Sequence, residues 1–210
     1  MSAGVGNELR SHWDERYRSG HTPWDTGITP PEVRTFWKDR MPPFAGAYAL
    51  DIGCGTGLNT VFLAQQGLRA IGVDLSGLAL CQAQSRLLAG SKVGFSPPAG
   101  RAAFIQADVA LLPLGELGAV YALDIGCLHS LPDGNRAAYA EGVIRALGAR
   151  AHFHLYAFDR QAGEGPGARG MYDGEVAALF GSRVQIVAEE MGIPTTHNAR
   201  RSRWYLLQKR

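Results

Sequence analysis

Apolar and polar positions change periodicity along the chain in a way that predicts alternating strands and helices. Runs with a two-residue period predict strands, whereas apolar residues three and four apart predict helices. The predicted strands cover 48–52, 69–74, 102–107, 120–124, 150–158, 184–189 and 203–208. The predicted helices cover 7–18, 31–39, 58–68, 76–88, 133–147 and 173–180. This order predicts an α/β fold, a mostly parallel sheet that closes with an antiparallel hairpin.

The predicted N-terminal helix carries its large apolar residues on one face. Leu9, Trp13 and Tyr17 follow each other at intervals of four, and Gly20 ends the helix. Asn7 is the candidate N-cap. The glycine- and proline-containing loop 21–27 follows, and its composition places Trp24 at an exposed position.

Three glycines follow the first predicted strand and precede a predicted helix. The run Leu50–Gly57 reads L-D-I-G-C-G-T-G, with Gly53, Gly55 and Gly57 in the turn. Glycines there let the backbone approach a ligand closely, because no Cβ intervenes. The spacing lacks the third glycine of the dinucleotide fingerprint G-x-G-x-x-G. The run therefore predicts a nucleoside-binding turn of another kind.

Acidic residues stand at the ends of successive predicted strands. Asp74 ends the second strand 21 residues after Gly53, where a carboxylate can accept hydrogen bonds from ribose hydroxyls. Asp108 follows the third strand and is placed to accept from an adenine amino group, with Val109 against the ring. Asp124 ends the fourth strand, where ligands gather in open α/β sheets. His129, shortly after it, is the candidate for lining a substrate pocket.

Composition restricts the class of protein further. The 210 residues are 46% apolar and 19% charged, which predicts one globular domain over 1–210, with a helical cap at 1–45 and a core at 46–210. A formal charge of +2 gives no reason to expect a nucleic acid or a membrane as partner. We expect a monomer or weak homodimer. Cys54, Cys81 and Cys127 lack metal-ligand spacing and are predicted to be buried thiols in a reducing compartment. Without an apolar leader, the chain is predicted to be cytoplasmic.

Several motifs resemble one enzyme superfamily. At D-I-G-C-G-T-G-L-N and V-D-L-S the chain resembles class I methyltransferases that use S-adenosylmethionine, and F-I-Q-A-D-V, L-P-L and D-I-G-C-L-H-S-L-P match later motifs. The N-terminal H-W-D-E-R-Y-R-S-G-H-T-P-W-D-T-G is similar to the start of thiopurine, thiol, halide and tellurite-resistance methyltransferases. The resemblance implies a Rossmann-like class I methyltransferase fold, a seven-stranded sheet with helices on both faces. The glycine loop is nearer the general bacterial type than that of the thiopurine enzymes.

The resemblance also implies a cofactor site. The N-terminal aromatic residues would close over S-adenosylmethionine, and an aromatic face stabilises its sulfonium charge. The glycines would lie against the methionine and ribose, Leu75 beside the adenine, and Ile125 with Asp124 near the amino end. The residues expected to bind the cofactor are Trp13, Tyr17, Trp24, Asp51, Gly53, Cys54, Gly55, Gly57, Asp74, Leu75, Asp108, Val109, Asp124 and Ile125.

The sequence predicts methyl transfer to a small molecule with a soft nucleophilic atom: a thiol, halide, thiopurine or metalloid oxyanion. Such nucleophiles need positioning more than a strong base. An oxygen or nitrogen acceptor needs a base, and His129 is the candidate catalytic residue. Two further alternatives stay open at this point. They are a nicotinamide-linked oxidoreductase and a nucleoside-binding protein without activity.

Overall fold

The computed structural model describes residues 3–38, 44–92, 101–161, 169–192 and 200–210. The chain divides into two compact units, residues 1–108 and 109–210. The stretches 90–101 and 159–172, whose glycine and proline content predicts loops, lie partly outside the described residues. The single domain with an N-terminal cap therefore stays a prediction.

The first unit is an α/β arrangement with three parallel strands. Its helices are α1 (Ala3–Arg18), α2 (Pro31–Lys38), α3 (Leu58–Gln65) and α4 (Gly77–Lys92). Its strands are β1 (Tyr48–Ile52), β2 (Arg69–Asp74) and β3 (Arg101–Gln106), in the order β3-β2-β1. Leu50 pairs with Ile71, and Ile71 with Ala103, so the strands run in parallel register. The carboxyl ends of β1 and β2 consequently meet at one edge, where ligands bind in such sheets.

The second unit contains one parallel pair and the C-terminal antiparallel strands. Its strands are β4 (Ala119–Ile125), β5 (Leu147–Phe158), β6 (Val184–Met191) and β7 (Ser202–Lys209), in the order β4-β5-β7-β6. The helices are α5 (Asp133–Ala146) and α6 (Glu175–Phe180), and short 3-10 turns occupy 109–111, 128–130 and 181–183. The predicted element order and the seven-stranded mixed sheet with its closing hairpin are confirmed.

Some local predictions were wrong. Helix α1 begins at Ala3, so Asn7 lies inside it and does not cap it. Strand β5 begins at Leu147 rather than at residue 150, and Arg150 has a φ of 59° within it. The positive φ accompanies a register shift in the pairing of β4 with β5, and such irregularities leave no periodic signal in the sequence.

The apolar pattern of 76–88 predicts Leu78, Cys81 and Leu88 on the buried face of α4, and the structure differs from this prediction. Leu88 is 56% exposed and Cys81 is exposed, whereas Ala79 and Ala83 are buried. A Cβ at Gly57 would lie 2.7 Å from the Cβ of Ala83, so α4 approaches the glycine loop too closely for larger side chains. Of the cysteines, Cys54 alone is buried, while Cys127 is half-buried. Within the described ranges, the helices are too short or too polar to cross a bilayer.

Candidate functional site

The glycine loop between β1 and α3 depends on left-handed backbone conformations. Gly53, Gly55 and Gly57 have φ values of 70°, 52° and 74°. The N–H groups of Gly53 and Cys54 both donate to the carbonyl of Val73, at 2.8 and 3.1 Å, which fastens the loop to β2. A Cβ at Gly57 would meet the Phe104 ring at 2.8 Å. The spacing of the three glycines therefore reflects conformation and packing as well as ligand access.

Asp74 links the end of β2 to this loop. Its carboxylate accepts from the N–H of Gly55 at 2.8 Å through one oxygen, and from the N–H of Ser76 at 2.8 Å through the other. Burial raises the pKa of Asp74, and these two N–H groups act in the opposite direction. The N–H of Leu75 is a third donor, so the carboxylate keeps one of its about four acceptor positions for a ligand. The residue expected to hold a ribose thus lies directly at the glycine loop.

Helix α1 places an aromatic side chain over the loop. The Tyr17 hydroxyl oxygen would lie 2.8 Å from a Cβ at Gly55. It accepts a hydrogen bond from the indole N–H of Trp24 at 3.3 Å, and Trp24 packs edge-on against Trp13 at 5.5 Å between centroids. Burial, and then the Asp74 charge, raises the pKa of Tyr17, so the phenol keeps its proton. Trp24 is 40% exposed, as its loop composition predicted. The three aromatic residues that the sequence singled out therefore form one cluster next to the loop.

Two hydrogen-bonded links that sequence reasoning missed hold the N-terminal segment in place. The Ser76 hydroxyl donates to the carboxylate of Asp14 at 2.5 Å and accepts from the N–H of Ala79 at 3.1 Å. Asp14 on α1 is thereby tied to the start of α4. Its only signal in the sequence was its place among the N-terminal family motifs.

The second link, the Asp25–Thr56–Arg86 network, joins the loop after α1 to the glycine loop. The Thr56 hydroxyl donates to the Asp25 carboxylate at 2.7 Å and accepts from the Arg86 guanidinium at 2.9 Å. Arg86 also lies 3.6 Å from that carboxylate. The residues are up to 61 positions apart, so no local pattern could have paired them.

The remaining predicted residues of the first unit lie around the loop. Asp51 is buried, and its carboxylate accepts from the Thr60 hydroxyl at 2.6 Å, which joins β1 to α3. Burial raises the pKa of the Cys54 thiol, with Asp51 as the next cause, so Cys54 stays protonated. The Leu75 carbonyl accepts from the Gln106 amide at 3.1 Å, and Asp108 is half-buried two residues beyond. The roles of these side chains toward a cofactor stay predictions.

In the second unit, Asp124 is fully buried at the end of β4. Its carboxylate accepts from the N–H of Cys127 at 2.7 Å, the N–H of Leu128 at 3.0 Å and the hydroxyl of Tyr139 at 2.5 Å. Burial raises the pKa of Asp124 to about 6, although these donors oppose the rise. Its carboxylate fixes the turn that follows Ile125, the last residue of β4, and leads to His129. Val109, also predicted as a site residue, is buried in the 3-10 turn that opens this unit.

His129 lies in the 3-10 turn at 128–130 and is 3% exposed. Its Nδ1 accepts from the N–H of Phe158 at 3.1 Å. Burial, and then the charges of Arg200 and Arg136, lowers the pKa of His129 to about 3. The imidazole is therefore neutral, with its proton on Nε2.

Arg136, a buried cation that sequence reasoning did not single out, organises the backbone around His129. Its guanidinium donates to both oxygens of Glu175 at 2.8 Å, to the carbonyl of Gly170 at 2.9 Å and to the carbonyl of His129 at 3.4 Å. The side chain is fully buried. In the sequence, Arg136 looks like an ordinary solvent-exposed arginine on a helix, so the local pattern did not predict its burial.

Known proteins match the chain over nearly its whole length. The Thiopurine S-methyltransferase family model matches residues 9–206. The thiopurine S-methyltransferase of Bordetella petrii is 32% identical over 184 residues, which cover 83% of each chain. The 1,6-didemethyltoxoflavin-N1-methyltransferase of Burkholderia thailandensis, solved with S-adenosylhomocysteine, has a TM-score of 0.74 at 20% sequence identity. The match covers 100% of this chain and 90% of that enzyme. The magnesium protoporphyrin IX methyltransferase of Synechocystis has a TM-score of 0.72 at 16% sequence identity, and the match covers 98% of this chain and 99% of that enzyme.

The fold and these matches define a class I S-adenosylmethionine-dependent methyltransferase that acts on a small molecule. The chain belongs to the thiopurine S-methyltransferase family. The expected enzyme class and cofactor are thereby confirmed, and the alternatives of a nicotinamide-linked oxidoreductase and of a protein without activity are not supported. The residues of the first unit fit this cofactor, because the loop can carry no Cβ at Gly55 and the Asp74 carboxylate faces the same turn.

Proposed function

We propose that this enzyme methylates the sulfur of a small thiol or thiopurine that binds as the thiolate. The single observation that carries the proposal is the state of His129. Its Nδ1 is engaged by the Phe158 N–H and its pKa is lowered to about 3, so it cannot act as a base at neutral pH. An acceptor that is already ionised needs no base. The family model and the Bordetella petrii relative, which are both named thiopurine S-methyltransferase, support the same choice.

The cofactor-binding role belongs, in this proposal, to the residues around the glycine loop. Asp74 would accept from the ribose hydroxyls, and Gly55 would let the backbone approach the ligand under Tyr17. Trp13 and Trp24 would complete the aromatic wall. When bound, S-adenosylmethionine supplies a methyl group on an electron-poor sulfonium. The protein's task is then to hold the acceptor atom in line with the breaking bond.

The remaining expected contacts rest on the family resemblance. Asp108 and Val109 would bracket the adenine, and Leu75 would lie beside it. Asp124 would act through the turn that it fixes, with Ile125 near the amino end of the methionine. Asp51, which is hydrogen-bonded to Thr60, and Cys54 would stabilise the conformation of the glycine loop.

A panel of acceptors tests the proposal. The purified protein is incubated with S-adenosylmethionine and, in separate reactions, with an aromatic thiol, a thiopurine, iodide, a metalloid oxyanion, a catechol and an aromatic amine. Release of S-adenosylhomocysteine should be fastest with the two sulfur acceptors. Faster release with the catechol or the amine would overturn the sulfur assignment while leaving the methyltransferase assignment intact.

A cytoplasmic location and a monomer or weak homodimer complete the proposal, with no nucleic acid as partner. Light scattering at several protein concentrations would test the oligomeric state. A stable dimer at the lowest concentration would contradict it.

A further inference from the structure

Only one of the two ring nitrogens of His129 forms a hydrogen bond among the described residues. The side chain is 3% exposed, and its Nδ1 accepts from the N–H of Phe158 at 3.1 Å. A neutral imidazole that accepts at Nδ1 carries its proton at Nε2, which must then be a donor. Within the described ranges no hydrogen bond is formed at Nε2, and Nε2 is not among the fully buried polar atoms that lack a partner. The donor therefore has access to solvent or to a bound molecule.

The imidazole is held rigidly enough to direct that donor. Gly126 lies next to the imidazole, and a Cβ there would come within 2.9 Å of Cε1 and 3.3 Å of Nε2. The Phe158 ring packs on it with 4.7 Å between centroids and 36° between planes. Gly126 therefore has to be a glycine for the imidazole to occupy this place. The Phe158 N–H then determines that Nε2 is the ring nitrogen that carries the proton.

Two cations lie near the His129 side chain. The guanidinium of Arg200 stands over the Phe158 ring at 4.5 Å from its centroid, and Arg136 donates to the carbonyl of His129. Arg136 is paired with Glu175 at 2.8 Å and with Asp133 at 3.4 Å. Arg200 and Arg136 are the charged groups that act on the imidazole. The two cations disfavour a third charge on His129, so it stays neutral. They favour an anion next to its Nε2–H.

We propose that His129 is a specificity-determining residue, a neutral donor whose Nε2–H binds an anionic heteroatom of the methyl acceptor. This inference rests on the proposed function and narrows it. The acceptor class is a thiolate, or a thiopurine anion whose charge is shared between sulfur and a ring nitrogen. Acceptors that arrive protonated are selected against, because they bring no charge to the donor and no base removes their proton.

The chemical step balances without His129 exchanging a proton. The acceptor's proton is lost to solvent before or on binding. The sulfur lone pair of the acceptor forms the new S–C bond, and the electron pair of the breaking C–S bond returns to the cofactor's sulfur. One negative and one positive charge disappear together, leaving a neutral thioether and S-adenosylhomocysteine.

Two variants separate the two nitrogens of His129. In His129→Asn the amide oxygen can still accept from the Phe158 N–H, but nothing reaches the place of Nε2. In His129→Gln the amide N–H₂ reaches the place of Nε2. With an aromatic thiol, His129→Asn should raise the acceptor KM about tenfold to a hundredfold, the effect of losing one charge-assisted hydrogen bond. His129→Gln should retain most of the affinity, and both variants should bind S-adenosylhomocysteine as the wild type does.

The pH dependence distinguishes the donor from a base. With two aromatic thiols of different thiol pKa, the acidic limb of kcat/KM in the wild type should follow the acceptor and should stay in both variants. If the acidic limb of kcat/KM has the same pKa for both thiols and disappears in both variants, the proposal is overturned in favour of general-base catalysis. Nitrogen-15 NMR of His129 should show the neutral Nε2–H tautomer from pH 5 to 8, and an Nδ1–H tautomer or an imidazolium would overturn it independently of activity.

The outcomes also separate this inference from the proposed function. A wild type that methylates thiols while His129→Asn keeps the wild-type KM overturns the role of His129 alone. A wild type that binds S-adenosylhomocysteine but methylates no sulfur acceptor overturns the proposed function. The NMR result would then still report the tautomer.

Discussion

The phenol oxygen of Tyr17 lies so close to Gly55 that a Cβ at residue 55 would come within 2.8 Å of it. Gly55 also has a φ of 52°. The position of Tyr17 on α1 therefore requires a glycine at residue 55, in the turn between β1 and α3. A residue larger than glycine at 55 would have to displace Tyr17 or distort the turn.

Gly55→Ala is therefore expected to weaken binding of S-adenosylhomocysteine, measured by calorimetric titration. The left-handed conformation alone costs roughly 1–2 kcal/mol for a residue with a Cβ. Gly46→Ala is the matched control, because Gly46 has a φ of 77° and a Cβ added there would meet no atom within 4 Å. Adding Tyr17→Phe to Gly55→Ala should restore part of the affinity, and a double variant no better than the single one would contradict the contact.

Asp74→Asn is expected to weaken cofactor binding about tenfold to a hundredfold, because one oxygen that accepts hydrogen bonds becomes an N–H₂ group. The replaced oxygen either holds the Gly55 N–H or holds the Ser76 N–H, so the turn is loosened as well. Titration calorimetry gives the affinity, and urea unfolding separates it from the loss of stability. Asp173→Asn, at a position 91% exposed, should change neither. Wild-type affinity in Asp74→Asn would exclude the ribose role.

Thr56→Val removes the hydroxyl at the centre of the Asp25–Thr56–Arg86 network. We expect faster amide hydrogen exchange over residues 21–27 and faster dissociation of S-adenosylhomocysteine, with a loss of about 1 kcal/mol in the free energy of unfolding. Thr26→Val is the control, because the Thr26 hydroxyl donates only to Ile28 within its own loop. Equal exchange rates in the two variants would show that the network does not hold the loop.

Glu175→Gln is expected to destabilise the protein by about 3 kcal/mol, since it leaves the buried guanidinium of Arg136 with only the half-exposed Asp133, at 3.4 Å, as counter-charge. Urea unfolding measures the change. Glu141→Gln breaks the ion pair with Arg183 at the surface, where both side chains are exposed, and should have little effect. The prediction fails if the two variants lose the same stability.

Asp124 makes a contribution to the pH dependence of stability that is opposite to that of most carboxylates. Its pKa is raised from 3.8 to about 6 in the folded protein, so between these values the folded state binds more protons than the unfolded state. The free energy of unfolding contributed by Asp124 therefore falls as the pH rises from about 4 to 6, by on the order of 3 kcal/mol. His129, with its lowered pKa, contributes a slope of the opposite sign over the same range.

Asp124→Asn isolates this contribution. The stability of the wild type relative to the variant should decrease between about pH 4 and about pH 6.5, as measured by urea unfolding at each pH. Glu141→Gln, at an exposed acid whose pKa is lowered by Arg183, is the control and should show no such decrease. A relative stability that rises with pH would mean that the folded-state pKa of Asp124 is lowered instead.

Much of the site was visible in the sequence because its signals are local. The left-handed turn requires Gly53, Gly55 and Gly57 as neighbours, and Asp74 ends the next strand as its position predicted. The i, i+4 spacing of Trp13 and Tyr17 similarly identified one face of α1. These features depend on residues a few positions apart, or on the constant length of a strand-helix-strand unit.

The amino-acid sequence alone determined the order of strands and helices, the glycine turn, the acids at the strand ends and the family, because periodicity and short motifs record local geometry. Only the tertiary structure decided that Thr56 joins Asp25 to Arg86, that Arg136 is buried against Glu175, and that the Phe158 N–H occupies Nδ1 of His129. Those decisions depend on contacts between residues far apart in the chain. Burial there determines whether a polar side chain is solvated or paired, and hence whether it is charged.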